Sequence, residues 1–548
     1  MDRHACWQRT WPQGVSDHIE AEKPFTEYFR DRSAEQPDAV AIDFYGYEIR
    51  YGELNRKIDQ FANALMGRGL ARGDRVGIFM QNSPHYVISF FGIIRAGGVV
   101  VNLNPMFKAM ELAPIIEKTG INMIIVQDTL CSEFNKVDNA GRIETVIVAR
   151  FADFLSKQPL FSPPDEVFGT DQPFSGTVDF KDILDEGMPI PVCRIHDMDN
   201  DLAMLQLTGG TTGVPKAAMI SIRSLTIAVC ASMHWFGLTP KETSLGIAPF
   251  FHIMGLQVTM IPALFAGGKL VILTRFVPAI IAQAIAEKKC TVWVAAPTMI
   301  TALVNMPTIE QFDFSSLRVI VTGGSPISIT LQQRIKEIAP NSQLGEGYGL
   351  TEVLAAGGVV TPLGNWKPSF TGIPIIKEND LRIMDLEGRE EEMPCNQKGE
   401  IAIKGPTVMN GYWNEPEETK KVMKNGWFYT GDIGLMDEDG YLKIVDRKKE
   451  LILCSGFNVY PTELENTMLM HPAILEVAVI GIPDDYRGES VKAFVVLKDQ
   501  FKDELTAEGL INWCKDNMAA YKRPHEVEFT ESLPKSGAGK ILKRLLKK

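Results

Sequence analysis

The sequence predicts an α/β protein of two domains: a large N-terminal domain of doubly wound sheets, residues 1–446, and a small α+β C-terminal domain, residues 447–548. Three observations carry this. The chain of 548 residues exceeds what one hydrophobic core usually supports. Short β-branched runs alternate with helical periods, the pattern of parallel sheets wound by helices. The texture then changes at the charge run Asp446-Arg447-Lys448-Lys449-Glu450, a natural boundary.

The elements follow in order. Residues 74–80 read as a strand, 84–94 as a helix and 98–101 as a second strand. Residues 87–101 form the most apolar early run, but Arg95 and two glycines interrupt it. A bilayer span needs about 20 apolar residues, so a buried core element is expected. Residues 160–190 are rich in Pro, Asp, Gly and Phe without a period, and predict a surface insertion. Residues 269–273, 291–294 and 319–321 read as strands, and 278–288 as a helix between them. After residue 446 the reading is a helix from Pro461, strands at 477–480 and 491–497, and a helix from Thr506. The basic, amphipathic run 540–548 reads as a solvated helix end.

Composition narrows the function. Hydrophobic residues make up 45% and charged residues 23%, as in a globular protein. The net charge of −12 argues against binding a nucleic-acid backbone, so no nucleic-acid partner is expected. The eight cysteines are scattered and form no C-x-x-C pair, which argues against a zinc knuckle or a disulfide framework. The first residues lack a charged-then-apolar leader pattern. A cytoplasmic monomer or homodimer without a transmembrane segment is expected, and peripheral membrane contact stays open.

The run Thr208-Gly209-Gly210-Thr211-Thr212-Gly213-Val214-Pro215-Lys216 is the most informative stretch. Glycines let backbone approach a phosphate, successive N–H groups and hydroxyls can wrap its oxygens, and Lys216 adds positive charge. It is not a Walker A loop, because Pro215 precedes the lysine, and the dinucleotide fingerprint G-x-G-x-x-G is not met. Alone, it fits an ordinary Gly/Thr surface loop equally well. A second run, Glu346-Gly347-Tyr348-Gly349-Leu350-Thr351-Glu352, sets an aromatic between glycines, suited to stacking on a base. The hydroxyl and carboxylate that follow suit a phosphate and a hard cation. Further on, Tyr429-Thr430-Gly431-Asp432 offers a carboxylate with two acceptors for a diol, and Lys540 closes a glycine-rich run from Leu533.

In this order the runs resemble the adenylate-forming superfamily of acyl-CoA synthetases, luciferases and adenylation domains, and fatty acyl-CoA ligases most of all. The resemblance covers residues 25–548 and includes the early Tyr51-Gly52-Glu53-Leu54 and Asn102-Leu103-Asn104-Pro105 blocks. One departure is Ala217, where the family usually has glycine; alanine is tolerated if φ is negative. Glu346 is the acidic variant of a position that is often an amide.

The resemblance implies the following roles. Residues Thr208, Gly209, Gly210, Thr211, Thr212, Gly213 and Lys216 hold the ATP phosphates. Gly324, Ser325 and Pro326 belong to the adenine-side loop, Tyr348 stacks on the base, and Glu346, Gly347 and Gly349 complete the ATP site. Thr351 contacts the α-phosphate, Glu352 and Thr208 hold Mg²⁺, and Asp432 and Arg447 take the ribose. Lys540 drives adenylation and Lys449 is the hinge of a mobile small domain. Gly456 and Phe457 line the pantetheine path of coenzyme A, with Arg523, beside Lys522, near its nucleotide. His252, in the block Ala248-Pro249-Phe250-Phe251-His252, sits near the carboxylate. Trp235 and Gly324 join His252 at the acyl pocket, although ordinary core packing explains Trp235 as well. The small run Ala355-Ala356-Gly357-Gly358 is expected to leave room at a pocket wall.

The implied activity is an ATP-dependent, AMP-forming carboxylate–CoA ligase for a medium- or long-chain fatty acid. Two alternatives remain: a ligase for an aromatic or alicyclic acid, and an adenylating enzyme that delivers the acyl group to another acceptor. No serine-bearing carrier-protein domain follows Lys548 in this sequence, so a peptide-synthetase role is not expected. A non-enzymatic nucleotide-binding relative is disfavoured because Glu352, Asp432, Arg447 and Lys540 are all present.

Overall fold

A computed structural model describes residues 3–547, apart from 18, 20, 138–142, 171–174, 193, 195, 209–213, 325–326, 388, 455–456, 485–486, 503 and 536–540. The chain divides into two compact units. One comprises residues 7–380 with 403–428; the other comprises 1–6, 381–402 and 429–548. The expected boundary at residue 446 lies within the second unit, at the end of the strand Leu442–Arg447.

The larger unit contains two parallel-rich sheets. In the nine-stranded sheet the six strands Gln343–Tyr348, Val319–Gly323, Val292–Ala295, Thr243–Gly246, Lys269–Ile272 and Val40–Phe44 run parallel in that spatial order, with antiparallel strands at the edges. In the seven-stranded sheet the central strands Ile121–Gln127, Arg75–Phe79, Val99–Asn102 and Leu202–Leu207 are parallel, and Ala217–Ser221 closes one edge antiparallel. Strands covered on both faces read as continuous apolar runs, as Val-Trp-Val-Ala at 292–295 does. The early apolar run is the helix Pro84–Arg95 and the strand Val99–Asn102. Every residue of that helix is buried; Ser83 caps it by accepting from the Tyr86 N–H, and Pro84 opens its first turn.

The insertion expected at 160–190 is more ordered than its composition suggests. Helix Phe180–Glu186 buries Phe180, Ile183 and Leu184, and Phe180 stacks on Phe61 at 4.9 Å. Asp179 caps it through the Lys181 N–H.

In the second unit an antiparallel pair, Ile474–Asp484 and Gly488–Leu497, is extended by Ile452–Cys454 and by the parallel strand Glu526–Phe529. Helices Pro461–Met468 and Ala507–Asn517 supply Leu464, Met468, Leu510 and Cys514 to a core with Val477, Val479, Val491 and Val495. The tail is not a solvated helix end. Ile541 and Leu546 pack on the cluster of Ala478, Ile480, Phe494, Val496 and Leu533, and only a 3-10 turn, Lys543–Leu545, forms. Among the described residues no helix is long and apolar enough to cross a membrane.

Candidate active site

Ligands of open α/β sheets bind beyond the carboxyl ends of the strands. Four of the sequence motifs lie there. Thr208 follows Leu202–Leu207, Gly324 follows Val319–Gly323, Gly349 follows Gln343–Tyr348, and the block leading to His252 follows Thr243–Gly246. The last three strands run parallel within one sheet, so their motifs share one edge. Gln206 ties the first motif to the fourth, donating from Nε2 to the Phe251 carbonyl at 2.8 Å.

Thr208 and Lys216 form the base of a hairpin. Strands Leu202–Leu207 and Ala217–Ser221 pair antiparallel, and the Thr208 N–H donates to the Lys216 carbonyl at 2.8 Å. Gly209, Gly210, Thr211, Thr212 and Gly213 lie outside the described residues. Ala217 is an extended, fully buried strand residue opposite Leu207, a place where alanine meets no φ constraint.

The segment 409–413 brings the two main motifs together. The Met409 N–H donates to the Glu352 carbonyl at 2.8 Å, and Trp413 N–H to the Ala217 carbonyl at 2.8 Å. Tyr412 bridges to Ala218 across the strand edge. Its hydroxyl donates to Glu352 Oε1 at 2.8 Å, and the Lys216 ammonium lies over its ring, 4.8 Å from the centroid. Lys216 also donates to Glu418 Oε2 at 2.5 Å. Burial and the Glu352 carboxylate push the Tyr412 phenol above its ordinary range, so it stays a donor.

The loop after Tyr348 is closely folded. Thr351 and Glu352 stand in the 3-10 turn Thr351–Val353, followed by Leu354 at φ +56 and Ala355 at φ +38. Such backbone in non-glycine residues is costly and collects at functional sites. A Cβ at Gly349 would lie 1.9 Å from the Ala355 carbonyl, and one at Gly358 2.1 Å from the Tyr348 carbonyl. At Gly357 it would lie 2.3 Å from Thr407 Oγ1. Gly349 and Gly358 therefore serve close backbone packing and Gly357 packs on the Thr407 side chain, so Gly357 and Gly358 do not leave the room at a pocket wall that the sequence suggested. By contrast, Gly324 has φ +85 and open space where its Cβ would stand. Ser325 and Pro326 lie outside the described residues.

Glu346 and Gly347 lie in the strand beside Thr322 and Gly323. Burial pushes the Glu346 carboxyl up to about 7, against a hydrogen bond from the Ile327 backbone. Thr361 connects this residue to Trp235. Its N–H donates to the Glu346 carbonyl at 2.9 Å, and its own carbonyl accepts from the Trp235 indole N–H at 3.2 Å. Trp235 ends the helix Ile222–Trp235, is 2% exposed, and meets Trp11 edge-on at 5.1 Å. His252 precedes a π-helix, Met254–Met260, and its Nδ1 accepts from the Met254 N–H at 3.3 Å. π-Helical turns are rare and often mark functional sites. Gly255 permits this one, since a Cβ there would lie 2.2 Å from the Pro249 carbonyl.

The remaining residues belong to the second unit. Asp432 and Arg447 face each other across paired strands, with Nε 3.5 Å from Oδ1. Asp432 is 5% exposed. Lys449 stands exposed in the turn that follows Arg447. Phe457 is 54% exposed and stacks on Tyr521 at 4.6 Å, two residues before Arg523. The buried Nε of Arg523 has no hydrogen-bond partner among the described residues. Gly456 and Lys540 lie outside the described residues. Sequence reasoning missed Tyr412, Glu418 and Thr361; Tyr412 sits 60 residues from Glu352, and no spacing rule reaches that far.

A profile of the AMP-binding enzyme family matches residues 29–413, and that of the AMP-binding enzyme C-terminal domain matches 463–540. A long-chain-fatty-acid–CoA ligase of Bacillus subtilis (strain 168) is 34% identical over 562 residues, covering 100% of this chain and 98% of the relative. A feruloyl-CoA synthase of Amycolatopsis sp is 33% identical, covering 93% and 96%. Among solved structures, ATP-bound MatB from Rhodopseudomonas palustris superposes with a TM-score of 0.84 at 28% identity, covering 95% and 98%. The anthranilate CoA ligase AuaEII in complex with anthranoyl-AMP gives 0.85 at 25%, covering 96% and 97%. With the Thr208–Lys216 motif, the tyrosine–glutamate loop and both profiles falling in order along one chain, the protein belongs to the AMP-binding enzyme family and is an AMP-forming acyl-CoA ligase.

Proposed function

We propose that this ligase activates a medium- to long-chain fatty acid. The observation that carries the choice is the end-to-end likeness to long-chain-fatty-acid–CoA ligases, at 34% identity over 100% of the chain. A second reading, an aromatic acid, is favoured by the feruloyl-CoA synthase at 33%.

The chemistry joins two anions. A carboxylate oxygen attacks the α-phosphorus of ATP, the bond to pyrophosphate breaks, and charge builds on the phosphoryl oxygens. Lys216 and Lys540 neutralise that charge, together with backbone N–H groups of 209–213. Tyr348 stacks on the adenine, held in place by the tight loop behind it, and Glu346 faces the base with Gly324, Ser325, Pro326, Gly347 and Gly349 around it. Asp432 and Arg447 take the ribose hydroxyls, and His252 orients the carboxylate. Trp235 bounds the acyl path.

Among the described residues no three His, Cys, Asp or Glu side chains could hold a metal by themselves. This fits Mg²⁺, which binds through one or two protein oxygens plus substrate phosphates; Glu352 and Thr208 are the oxygens offered. When bound, Mg²⁺ supplies further charge neutralisation. The Tyr412 hydroxyl holds the Glu352 carboxylate in one orientation for this task.

In the second step the thiol of coenzyme A attacks the acyl carbonyl and AMP leaves. Gly456 and Phe457 border the pantetheine path, Arg523 meets the nucleotide phosphates, and Lys449 is the pivot between the two steps. The test is AMP release across C2 to C18 acids, benzoate, phenylacetate and cyclohexanecarboxylate, each with and without CoA. CoA-dependent turnover peaking on one chain length supports the proposal. A peak on ring-bearing acids replaces the substrate class, and pyrophosphate release indifferent to CoA points to another acceptor.

A further inference from the structure

The residues that flank the run 536–540 are fixed from several directions. Lys535 and Ile541 face each other in an antiparallel bridge, and the Leu542 N–H donates to the Pro534 carbonyl at 2.8 Å. The Lys535 ammonium meets Glu476 Oε1 at 2.5 Å. Ile541 is packed on the apolar cluster described above. These contacts fix the chain on both sides of the run 536–540.

Lys543 adds something that a tail of this composition does not need. Its side chain is 13% exposed, although a lysine ordinarily stays in water unless paired. Its ammonium meets Glu465 Oε1 at 2.7 Å and Glu450 Oε2 at 3.2 Å. Glu465 belongs to the helix Pro461–Met468 and also accepts from the Val479 N–H at 2.7 Å, so it is anchored to the strand Ile474–Asp484. Glu450 belongs to the turn that carries Lys449, and its N–H donates to the Arg447 carbonyl at 2.9 Å. Asp446, four residues before Glu450, accepts from the Thr462 and Arg447 N–H groups at 2.8 and 2.7 Å. Burial opposes the Lys543 charge, but the facing carboxylates outweigh it and hold the ammonium above its ordinary value.

We propose that Lys543 is a positioning residue: it ties the segment bearing Lys540 to the turn bearing Lys449, so that the adenylating lysine leaves the domain from a fixed point. The proposal rests on the reading of Lys540 as the adenylation lysine. A single ammonium buried between the turn 448–450 and the helix Pro461–Met468 joins the two. Removing one partner of a buried pair leaves an uncompensated carboxylate, which is costly. Lys543→Met retains the stem and loses the charge; Lys543→Arg retains the charge. Glu450→Gln weakens the link from its hinge side, where the carboxylate is 30% exposed and the fold is less at stake.

The experiment separates the two half-reactions, using the full chain and the acid it turns over fastest. Adenylation is read as ATP–pyrophosphate exchange, and the thiol step as thioester formation from preformed acyl-adenylate and CoA. Lys543→Met is expected to lose about 10²-fold in exchange, the loss typical when a positioned charge is misplaced, while its thiol step stays close to wild type. Glu450→Gln is expected to shift in the same direction by less, and Lys543→Arg to recover most of the exchange. Equal losses in both steps for Glu450→Gln, or unchanged exchange in Lys543→Met, overturn the proposal; if Lys543→Met does not fold, Glu450→Gln decides. Lys540→Ala is run in parallel. If it retains normal exchange, the underlying reading of Lys540 has failed; if it loses exchange while Lys543→Met does not, only the positioning role has failed.

Discussion

The Tyr412 hydroxyl donates to Glu352 Oε1 at 2.8 Å while the same ring lies beneath the Lys216 ammonium, 4.8 Å from its centroid. One side chain thus spaces the lysine of the phosphate hairpin from the carboxylate of the tyrosine–glutamate loop. Removing only the hydroxyl takes this hydrogen bond from the carboxylate without changing the ring. A hydrogen bond to a charged group contributes about 1.5–3 kcal/mol. Tyr412→Phe is therefore expected to slow ATP–pyrophosphate exchange at least about tenfold, to raise the Mg²⁺ concentration that half-saturates it, and to leave thermal stability almost unchanged. Unaltered Mg²⁺ dependence would remove Tyr412 from the site.

The loop that presents Thr351 and Glu352 tolerates no side chain at Gly349, where a Cβ would approach the Ala355 carbonyl to 1.9 Å. The neighbour is backbone and already carries positive φ at Leu354 and Ala355, so it has little room to give. Gly349→Ala is expected to lower stability by about 1–3 kcal/mol and to raise the KM for ATP more than that for the acid. A variant with wild-type ATP kinetics would mean that the loop repacks away from the nucleotide.

Much of this was legible in the residues, and the failures have physical causes. Strands such as Arg75–Phe79 and Val319–Gly323 could be read because burial on both faces leaves a plain apolar run. Their carboxyl ends, and with them the motif positions, came along with the topology. Helix Phe180–Glu186 escapes a sequence reading because seven residues hold too few periods to detect and its apolar face is buried on distant residues such as Phe61. The glycines at 357 and 358 suggested space in the sequence, but their neighbours, Thr407 and Tyr348, fill it. Tyr412 and Thr361 act through contacts of 60 and 126 residues in separation, to Glu352 and Trp235, which no local pattern encodes.

Trp235 is a test of whether an acyl-pocket residue can also be core. It is 2% exposed, bonded to the Thr361 carbonyl and packed against Trp11. Trp235→Ala is expected to cost about 3–5 kcal/mol and to move the preferred acid toward longer or bulkier chains, as the vacated volume becomes available to substrate. Trp235→Phe retains most of the packing and is expected to leave the preference in place. Identical acid profiles for wild type and Trp235→Ala, in protein that remains folded, would assign the residue to the core alone.

Glu346 makes the stability of the larger unit sensitive to pH. Its carboxyl is pushed up to about 7 by burial, from 4.5 in an exposed chain. The folded protein therefore holds this proton more tightly than the unfolded chain does. Between pH 4.5 and 7 the native state binds more protons, so its stability falls as pH rises through that window and levels off above it. A shift of this size corresponds to on the order of 3 kcal/mol at most. Glu346→Gln keeps the shape and removes the titration. Urea unfolding at pH 5, 6, 7 and 8 is expected to show a smaller loss of stability across the series for the variant than for wild type, with the two closest at pH 5. On the proposed reading of Glu346 as an ATP-site residue, the same proton bears on the nucleotide. At pH 6 most of the Glu346 population is neutral and can donate to a ring nitrogen; at pH 8 it is ionised and can only accept from an amine. The KM for ATP is accordingly expected to vary between pH 6 and 8 in wild type and to be flat over that range in Glu346→Gln. Parallel profiles for the two proteins would place the carboxyl away from the base.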